Sequence, residues 1–314
     1  MAEKEHWSNQ HEKGKGWMRA ITLFCIRIFP GIIVRIFAIP VGFFFWLISG
    51  PERKAIVNYL KRVRPDRKPY TLPLFLAFSI TIIEKVESWA GKIKFGKIHF
   101  QQDDITEIWK ELEAGKGALL ICSHLGNMEM LRAIAEYGEI GVSRKVPVVS
   151  IVDFEITAGF NRMIEDANSS SMVNIISAFD IGPDTILMLQ EHVAKGGIVV
   201  IAGDRSSAGT PARNFDIDFL GAEAQFPQGP FIIASLLDCP AYFVFAARQK
   251  ALSVSAEYNM HIHKSRVEFS GSRGEKKNQI RQMAEEFVLC LEKYCNKYPL
   301  QWYNFYEYWE KGDL

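Results

Sequence analysis

A histidine and a glutamate lie five positions apart in the segment HLGNME (124–129). A carboxylate that binds one ring nitrogen of a histidine fixes its tautomer, which leaves the other nitrogen free to take a proton from a hydroxyl or amine. On one continuous helix, however, five residues would separate the two side chains by about 140° around the axis. His124 and Glu129 can therefore form a general base and its partner only if a turn lies between them, with Asn127 as the cap of the following helix.

Such a base could activate an acceptor that comes from outside the chain, so the chemistry requires no serine or cysteine nucleophile. Cys122 and Ser123 precede His124, but we expect Cys122 to point into a sheet, which disfavours a covalent intermediate. The residues alone leave a second interpretation open. His124 could be an ordinary turn histidine, with Glu129 as a surface ion-pair partner of Arg132.

A second group of polar residues follows the apolar run GIVVIA (197–202). Its members are Asp204, Arg205, Ser206 and Ser207. A guanidinium offers paired donors, so Arg205, or Arg162 upstream, could hold a phosphate group or a developing oxyanion. The structural alternative for either arginine is an ion pair with a neighbouring aspartate. Candidate substrate-binding residues in the two groups are Asn127, Ser206 and Ser207.

Both groups follow short apolar runs that alternate with helical patterns. The runs are ALLICS (118–123), VPVVSIV (146–152), VNIIS (173–177), GIVVIA (197–202) and AYFVFAA (241–247). The helical patterns between them span 128–137, 158–166, 184–194 and 229–237. This alternation predicts the α/β class, with a mostly parallel central sheet flanked by helices. Ligands of such sheets bind beyond the carboxyl ends of the strands, where both polar groups lie.

Three further helices, one strand and an aromatic segment are predicted in this domain. Helices are predicted at 71–90, 102–114 and 276–297. The alternating segment AEYNMHIHK (256–264) predicts an antiparallel edge strand, in which His261 and His263 share one face; because no third ligand is nearby, we expect no metal. Six aromatic residues within 302–309 are expected to pack on the sheet with partial contact to a lipid interface.

An apolar and basic segment precedes the domain. Residues 21–48 are long enough to cross a bilayer, but Arg27, Arg35 and two prolines interrupt the run. Between residues 19 and 70, ten Lys or Arg residues stand against two acidic residues, which favours anionic lipid. We expect membrane association through a kinked hairpin or an interfacial helix pair; the alternatives are a tilted span and a soluble amphipathic helix.

Composition limits the functional classes. With 48% hydrophobic and 23% charged residues in 314, the chain can form a core and is not disordered. The basic cluster is fused to an apolar run, which argues against nucleic-acid binding. Five cysteines without CxxC spacing indicate a reducing compartment, the cytoplasm. The predicted organisation is a polar tail (1–16), a membrane-associating segment (17–70) and an α/β domain (71–314).

Four segments together resemble one family. HLGNME resembles the HxxxxD/E motif of the glycerolipid and lipid A acyltransferase superfamily, especially its lipid A late-acyltransferase branch. Further along the chain, GGIVVIAGDRSS, FLGAEAQFPQGPFIIASLLDCP and QWYNFYEYW are similar to other segments of that branch. The four segments occur in order, and the resemblance covers most of residues 20–309. Where many members have Asp-Gln, this chain has Asp204-Arg205, a difference that bears on the head group of the acceptor.

The resemblance implies transfer of a fatty acyl chain from acyl carrier protein or coenzyme A to a hydroxyl or amine of a lipid-like acceptor. It also implies a site at the cytoplasmic face of the bacterial inner membrane, without a cofactor. By this analogy His124 is the base, Glu129 its partner and Asp204 part of the second motif, while Arg162 matches a family arginine. The alternatives are an acyl-thioester hydrolase and an inactive scaffold at the membrane surface.

Overall fold

The structure, a computed structural model, describes residues 24–26, 28–101, 105–131, 142–144, 146–152, 173–178, 181–205 and 213–309. The helix expected at 158–166 lies outside these residues, as do Arg162, Ser206 and Ser207. The helix expected at 128–137 is described only as far as residue 131.

A seven-stranded sheet in the order β1-β9-β8-β2-β5-β3-β4 forms the centre of the fold. The strands are β1 (Ile98–Phe100), β2 (Ala118–Gly126), β3 (Val148–Val152), β4 (Val173–Ser177), β5 (Ile198–Ala202), β6 (Asn214–Phe219), β7 (Ala222–Pro227), β8 (Ala241–Arg248) and β9 (Tyr258–Lys264). All neighbouring pairs of this sheet are parallel except β8 and β9. Strands β6 and β7 form a separate antiparallel hairpin. The predicted class, α/β with a mostly parallel sheet, is confirmed.

Helices cover both faces of this sheet. The helices that the structure describes are α1 (Gly31–Ile48), α2 (Gly50–Val63), α3 (Leu72–Trp89), α4 (Ile105–Glu113), α5 (Pro183–Ala194), α6 (Gly229–Leu237) and α7 (Arg273–Lys297), and a 3₁₀ turn spans Phe95–Lys97. All of these helices except α1, which packs on α3, lie against the sheet. Alternate residues of β2 enter two different cores. Leu119 and Ile121 pack on the face covered by α2, α3, α5, α6 and α7, whereas Leu120 and Cys122 pack on the α4 face. This two-sided burial explains why the strand runs are apolar throughout.

Two strand predictions need correction, and one hairpin was missed. Strand β9 is antiparallel to β8 as expected, but it is not the edge, because the short strand β1 pairs with its other side. Strand β2 continues to Gly126 instead of ending at 123, so His124 lies within an irregular end of the strand, not on the turn after it. The hairpin of β6 and β7 was not predicted from the sequence.

Gly126 permits this extension of β2. Its φ is +74°, and an added Cβ would stand 1.9 Å from the carbonyl oxygen of Ala246 on β8. Both the left-handed backbone and the close approach exclude a side chain here. The glycine thus lets the chain stay against β8 and then turn directly into Asn127.

Helices α1 and α3 pack against each other in an antiparallel arrangement. Near the end of α1, Trp46 donates from Nε1 to Thr71 Oγ1 at 2.9 Å. Near its start, Arg35 donates from Nε to Glu87 Oε2 at 2.8 Å. The opposite side of α3 contacts the α/β domain through Thr81, whose hydroxyl lies 2.8 Å from that of Tyr303. Helix α3 therefore lies between α1 and the sheet domain.

The aromatic segment near the end of the chain packs inside the domain. Trp302 is buried, forms an isolated antiparallel bridge with Leu125 and packs against Tyr59 and Phe219. Tyr303 and Tyr308 are also buried, while Phe305, Tyr306 and Trp309 are half-buried. The packing predicted for this segment is therefore observed, and it places Trp302 beside the end of β2.

Candidate active site

A histidine and an aspartate meet at adjacent strand ends. His124 lies near the end of β2 and Asp204 directly follows β5, the parallel neighbour of β2. His124 Nδ1 lies 2.8 Å from Asp204 Oδ1. The backbone N–H of His124 also donates to Asp204 Oδ2, at 2.7 Å, so the carboxylate binds both the ring and the main chain of the same residue.

Two residues of the aromatic segment also donate hydrogen bonds to Asp204. Trp302 donates from Nε1 to Asp204 Oδ2 at 3.0 Å, and the hydroxyl of Tyr308 donates to the Asp204 carbonyl oxygen at 3.0 Å. The N–H of Tyr303 donates to the carbonyl oxygen of His124 at 3.2 Å. The aromatic segment thus holds both His124 and Asp204 in place, which explains why this segment is buried.

Electrostatics assign a protonation state to the pair. Burial would raise the pKa of Asp204, but the charge of His124 and the hydrogen bonds from His124 and Trp302 outweigh it and hold the pKa below its ordinary value. Burial lowers the pKa of His124, and the charge of Arg205 lowers it further, against the opposing effect of Asp204. At neutral pH we therefore assign an ionised Asp204 and a neutral His124 whose Nδ1–H donates to it.

This tautomer leaves Nε2 of His124 as a proton acceptor. The His124 side chain is 21% exposed, whereas that of Asp204 is 1% exposed. The arrangement is that of a general base supported from behind by a buried carboxylate. The expected partner was Glu129, and the expected role of Asp204 was only membership of the second motif; the carboxylate that binds Nδ1 is that of Asp204.

The turn between His124 and Glu129 is present. Asn127 is fully buried, and its Oδ1 accepts the N–H of Glu129 at 3.1 Å, where the next helix begins. Ser88 on α3 donates to the Glu129 carbonyl oxygen at 3.1 Å. The predicted cap is therefore observed, while direct support of the imidazole by Glu129 stays a prediction.

Lys85 of α3 is a site residue that the sequence reasoning missed. It lies one helical turn from both Thr81 and Ser88, which contact Tyr303 and Glu129 respectively. Burial lowers the pKa of Lys85, the charges of Glu129 and Asp204 oppose this shift, and Arg205 reinforces it. Lys85 and Arg205 thus bring positive charge to the pair. The available signal was a lysine within a predicted helix that is otherwise largely apolar.

The position of Cys122 is unfavourable for a nucleophile. Its side chain is fully buried on the α4 side of β2, and burial raises its pKa far above the ordinary value of a thiol. A thiol rather than a thiolate is therefore present, and thiols are poor nucleophiles. The expectation that Cys122 points into the sheet domain agrees with this position.

The two histidines of β9 bind tyrosines. His261 Nε2 lies 3.0 Å from the hydroxyl of Tyr298, and His263 Nε2 lies 2.5 Å from that of Tyr294. Within the described residues there is no group of three His, Cys, Asp or Glu side chains that could hold a metal ion.

Comparison with protein families gives a match over nearly the whole chain. A family model described as bacterial lipid A biosynthesis acyltransferase matches residues 3–311, a range that includes His124, Asp204 and the aromatic segment. A search of curated proteins gives no match.

Proposed function

The chain belongs to the family of bacterial lipid A biosynthesis acyltransferases, and on that premise we propose that it uses His124 and Asp204 to acylate a lipid-like acceptor. The donor is a fatty acyl thioester on acyl carrier protein or coenzyme A, and the acceptor presents a hydroxyl or amine. The observation that supports this proposal is the 2.8 Å contact between His124 Nδ1 and a buried carboxylate, with the other ring nitrogen left as an acceptor.

The proposed reaction has two proton transfers. His124 Nε2 removes the proton of the acceptor as its oxygen or nitrogen attacks the thioester carbonyl carbon. Asp204 stabilises the imidazolium that forms. When the tetrahedral intermediate collapses, the carbon–sulfur bond breaks and the same proton passes from Nε2 to the departing thiolate. The products are the acylated acceptor and the free thiol, and His124 returns to its neutral form.

Negative charge develops on the carbonyl oxygen during the attack, and two cations of the site are suited to stabilise it. Lys85 and Arg205 both act electrostatically on His124. Partly desolvated positive charge is worth more in such a site than in water, because less solvent screens it. We assign Lys85 or Arg205 to the oxyanion and Glu129 to support of the base. Arg162, which matches a family arginine, is assigned to a phosphate group or the oxyanion, and Ser206 and Ser207 are assigned to substrate binding through hydrogen bonds.

We further propose that α1 and α2 hold the protein at the cytoplasmic face of the inner membrane. Among the described helices, α1 is the one long and apolar enough to cross a bilayer. Its exposed large apolar residues are Ile32, Ile33, Ile36, Phe37, Val41, Phe43, Phe44, Leu47 and Ile48. Lys54 and Lys61 are exposed on the adjoining α2. Since one side of α1 packs along α3, an interfacial position explains its exposed apolar side better than an isolated span does.

The enzymatic proposal is tested with the full chain in mixed vesicles that contain a candidate acceptor and a labelled acyl thioester. We expect an acylated lipid in the product analysis, and its absence in His124→Ala. Free fatty acid in place of acylated lipid would identify a thioester hydrolase, and no turnover would identify a scaffold. Mass spectrometry of lipids from cells with and without the protein then identifies the acceptor.

The membrane proposal is tested by flotation with anionic vesicles. Replacing Phe37 and Phe44, both exposed on α1, by Asp removes apolar area from the lipid-facing side and is expected to reduce vesicle binding about tenfold or more. Leu289→Asp is the matched control, because Leu289 is equally exposed but lies on α7. Equal binding by all three proteins would contradict an α1 interface.

A further inference from the structure

Arg35 lies near the start of the apolar helix α1, but its side chain points into the protein. Arg35 is only 8% exposed. Its Nη2 lies 2.7 Å from Glu87 Oε2, and its Nη1 donates to the carbonyl oxygen of Val254 at 2.6 Å. Its Nε lies 3.4 Å from Glu84 Oε1. The charge that interrupts the apolar sequence is therefore not placed in lipid; it joins α1 to α3 and to the loop before β9.

Glu84 is the centre of this contact and is 0% exposed. Besides Arg35, it binds Arg248 of β8, whose Nε lies 2.9 Å from Glu84 Oε2 and whose Nη2 donates to Oε1 at 3.1 Å. The hydroxyl of Tyr258 on β9 donates to Oε2 as well. One buried carboxylate thus connects a helix outside the sheet domain with two strands inside it.

The same network reaches the turn of the HxxxxE motif. Asn127 donates from Nδ2 to the hydroxyl oxygen of Tyr258 at 3.4 Å. Through Oδ1, Asn127 accepts the N–H of Glu129 and so caps the helix that begins there. A continuous series of buried polar contacts therefore runs from Arg35 through Glu84, Tyr258 and Asn127 to the first residue of that helix.

We propose that this network makes Arg35, Glu84 and Tyr258 positioning residues, which transmit the placement of α1 to the turn between His124 and Glu129. Buried polar groups have few alternative partners, so a shift of one member forces the next to move or to lose its hydrogen bond. Packing alone would not need charges at these positions, since apolar side chains of similar volume hold helices together at least as well. The catalytic consequence rests on the proposed acyl transfer, whereas the structural coupling does not.

The test compares two buried tyrosines on neighbouring strands. Tyr258→Phe removes the hydroxyl that joins Glu84 to Asn127. Tyr242→Phe is the matched control, because Tyr242 is equally buried and donates to Glu111 Oε2 at 2.6 Å, outside the network. Arg35→Met tests the other end of the network while keeping α1 apolar, with Arg273→Met, at an exposed position on α7, as its control.

Amide hydrogen exchange of the segment 124–131 gives a readout that needs no turnover. We expect exchange to become about three- to tenfold faster in Tyr258→Phe and Arg35→Met, as for one lost hydrogen bond, and to stay unchanged in both controls. With activity established, kcat should fall by a similar factor in these two variants while KM stays within about twofold and vesicle binding is retained.

Unchanged exchange in Tyr258→Phe, in a protein with normal folding cooperativity, would overturn the coupling even if the enzyme is fully active. Equal acceleration in Tyr242→Phe would overturn it too, because general loosening would then explain the effect. An inactive parent protein with the expected exchange pattern would instead reject the acyltransferase proposal and leave the network established.

Discussion

Asp204 and Glu84 are both buried carboxylates, yet they have partners of opposite kinds. Asp204 binds a histidine that can change its protonation state and that remains partly exposed. Glu84 binds two arginines, Arg35 and Arg248, which stay charged and are themselves buried. Burial of a carboxylate is therefore not by itself evidence of catalysis. What distinguishes the two is whether the partner can exchange a proton with an incoming molecule.

Of the substitutions that test this comparison, Asp204→Asn should cause the largest loss of activity. An amide can no longer accept every N–H that points at it, and it favours the wrong tautomer of His124, so we expect kcat to fall about 10²- to 10⁴-fold. Steady-state kinetics of Asp204→Asn and Glu129→Gln, measured side by side, give the loss of kcat in each variant. If Glu129→Gln were the more damaging of the two, the base would be supported by Glu129, as the sequence predicted, and not by Asp204.

The substitution Glu84→Gln should act mainly on stability. It leaves two buried guanidiniums facing an uncharged amide, and breaking such a network costs about 3–5 kcal/mol of unfolding free energy. Glu257→Gln is the control, because Glu257 pairs with Lys97 at 2.9 Å on the surface, where solvent screens the ion pair and the expected loss of stability is much smaller. Denaturant unfolding measures the unfolding free energy of both variants. Equal losses would mean that the burial of Glu84 and its ion pairs adds nothing to stability.

The substitution Lys85→Met should lower kcat about tenfold, a modest loss for one cation near a developing oxyanion. The matched surface change Lys195→Met removes a cation that pairs with Glu191 on α5 and should have no effect. Full activity in Lys85→Met would assign oxyanion stabilisation to Arg205 alone.

The smallest expected effect is a change in how kcat/KM depends on pH, and its direction follows from the pKa of His124. Since burial and Arg205 lower the pKa of His124, kcat/KM should fall as the pH decreases, with a midpoint below the ordinary histidine value of 6.5. Lys85→Met should move that midpoint up, because the lysine lowers the histidine pKa, and Asp204→Asn should move the midpoint of its residual activity down. Shifts in the opposite directions would exclude His124 as the titrating base.

The sequence predicted the sheet well because its central strands are buried on both faces and read as unbroken apolar runs. It missed β1, since three residues are too few to show a period, and it missed the β6–β7 hairpin, which was read only as a family segment. The fold class depended on the long runs and was not affected by either omission.

The site was only partly predictable, because its members come together through strand order. His124 and Asp204 are 80 positions apart, and β5 joins β2 although β3 and β4 intervene in the chain. A reading along the chain therefore paired His124 with its near neighbour Glu129. Arg35 was likewise read as an unfavourable charge in an apolar run, since sequence alone does not reveal which side of a helix meets the protein.

Helix α1 is consequently not interchangeable with other apolar helices. A chimaera that replaced it by an unrelated hydrophobic helix of the same length would still be attracted to lipid, but Glu84 and Glu87 would lose a cation they share. Grafting an arginine onto the foreign helix at the position equivalent to Arg35 is the minimum repair that such a design needs.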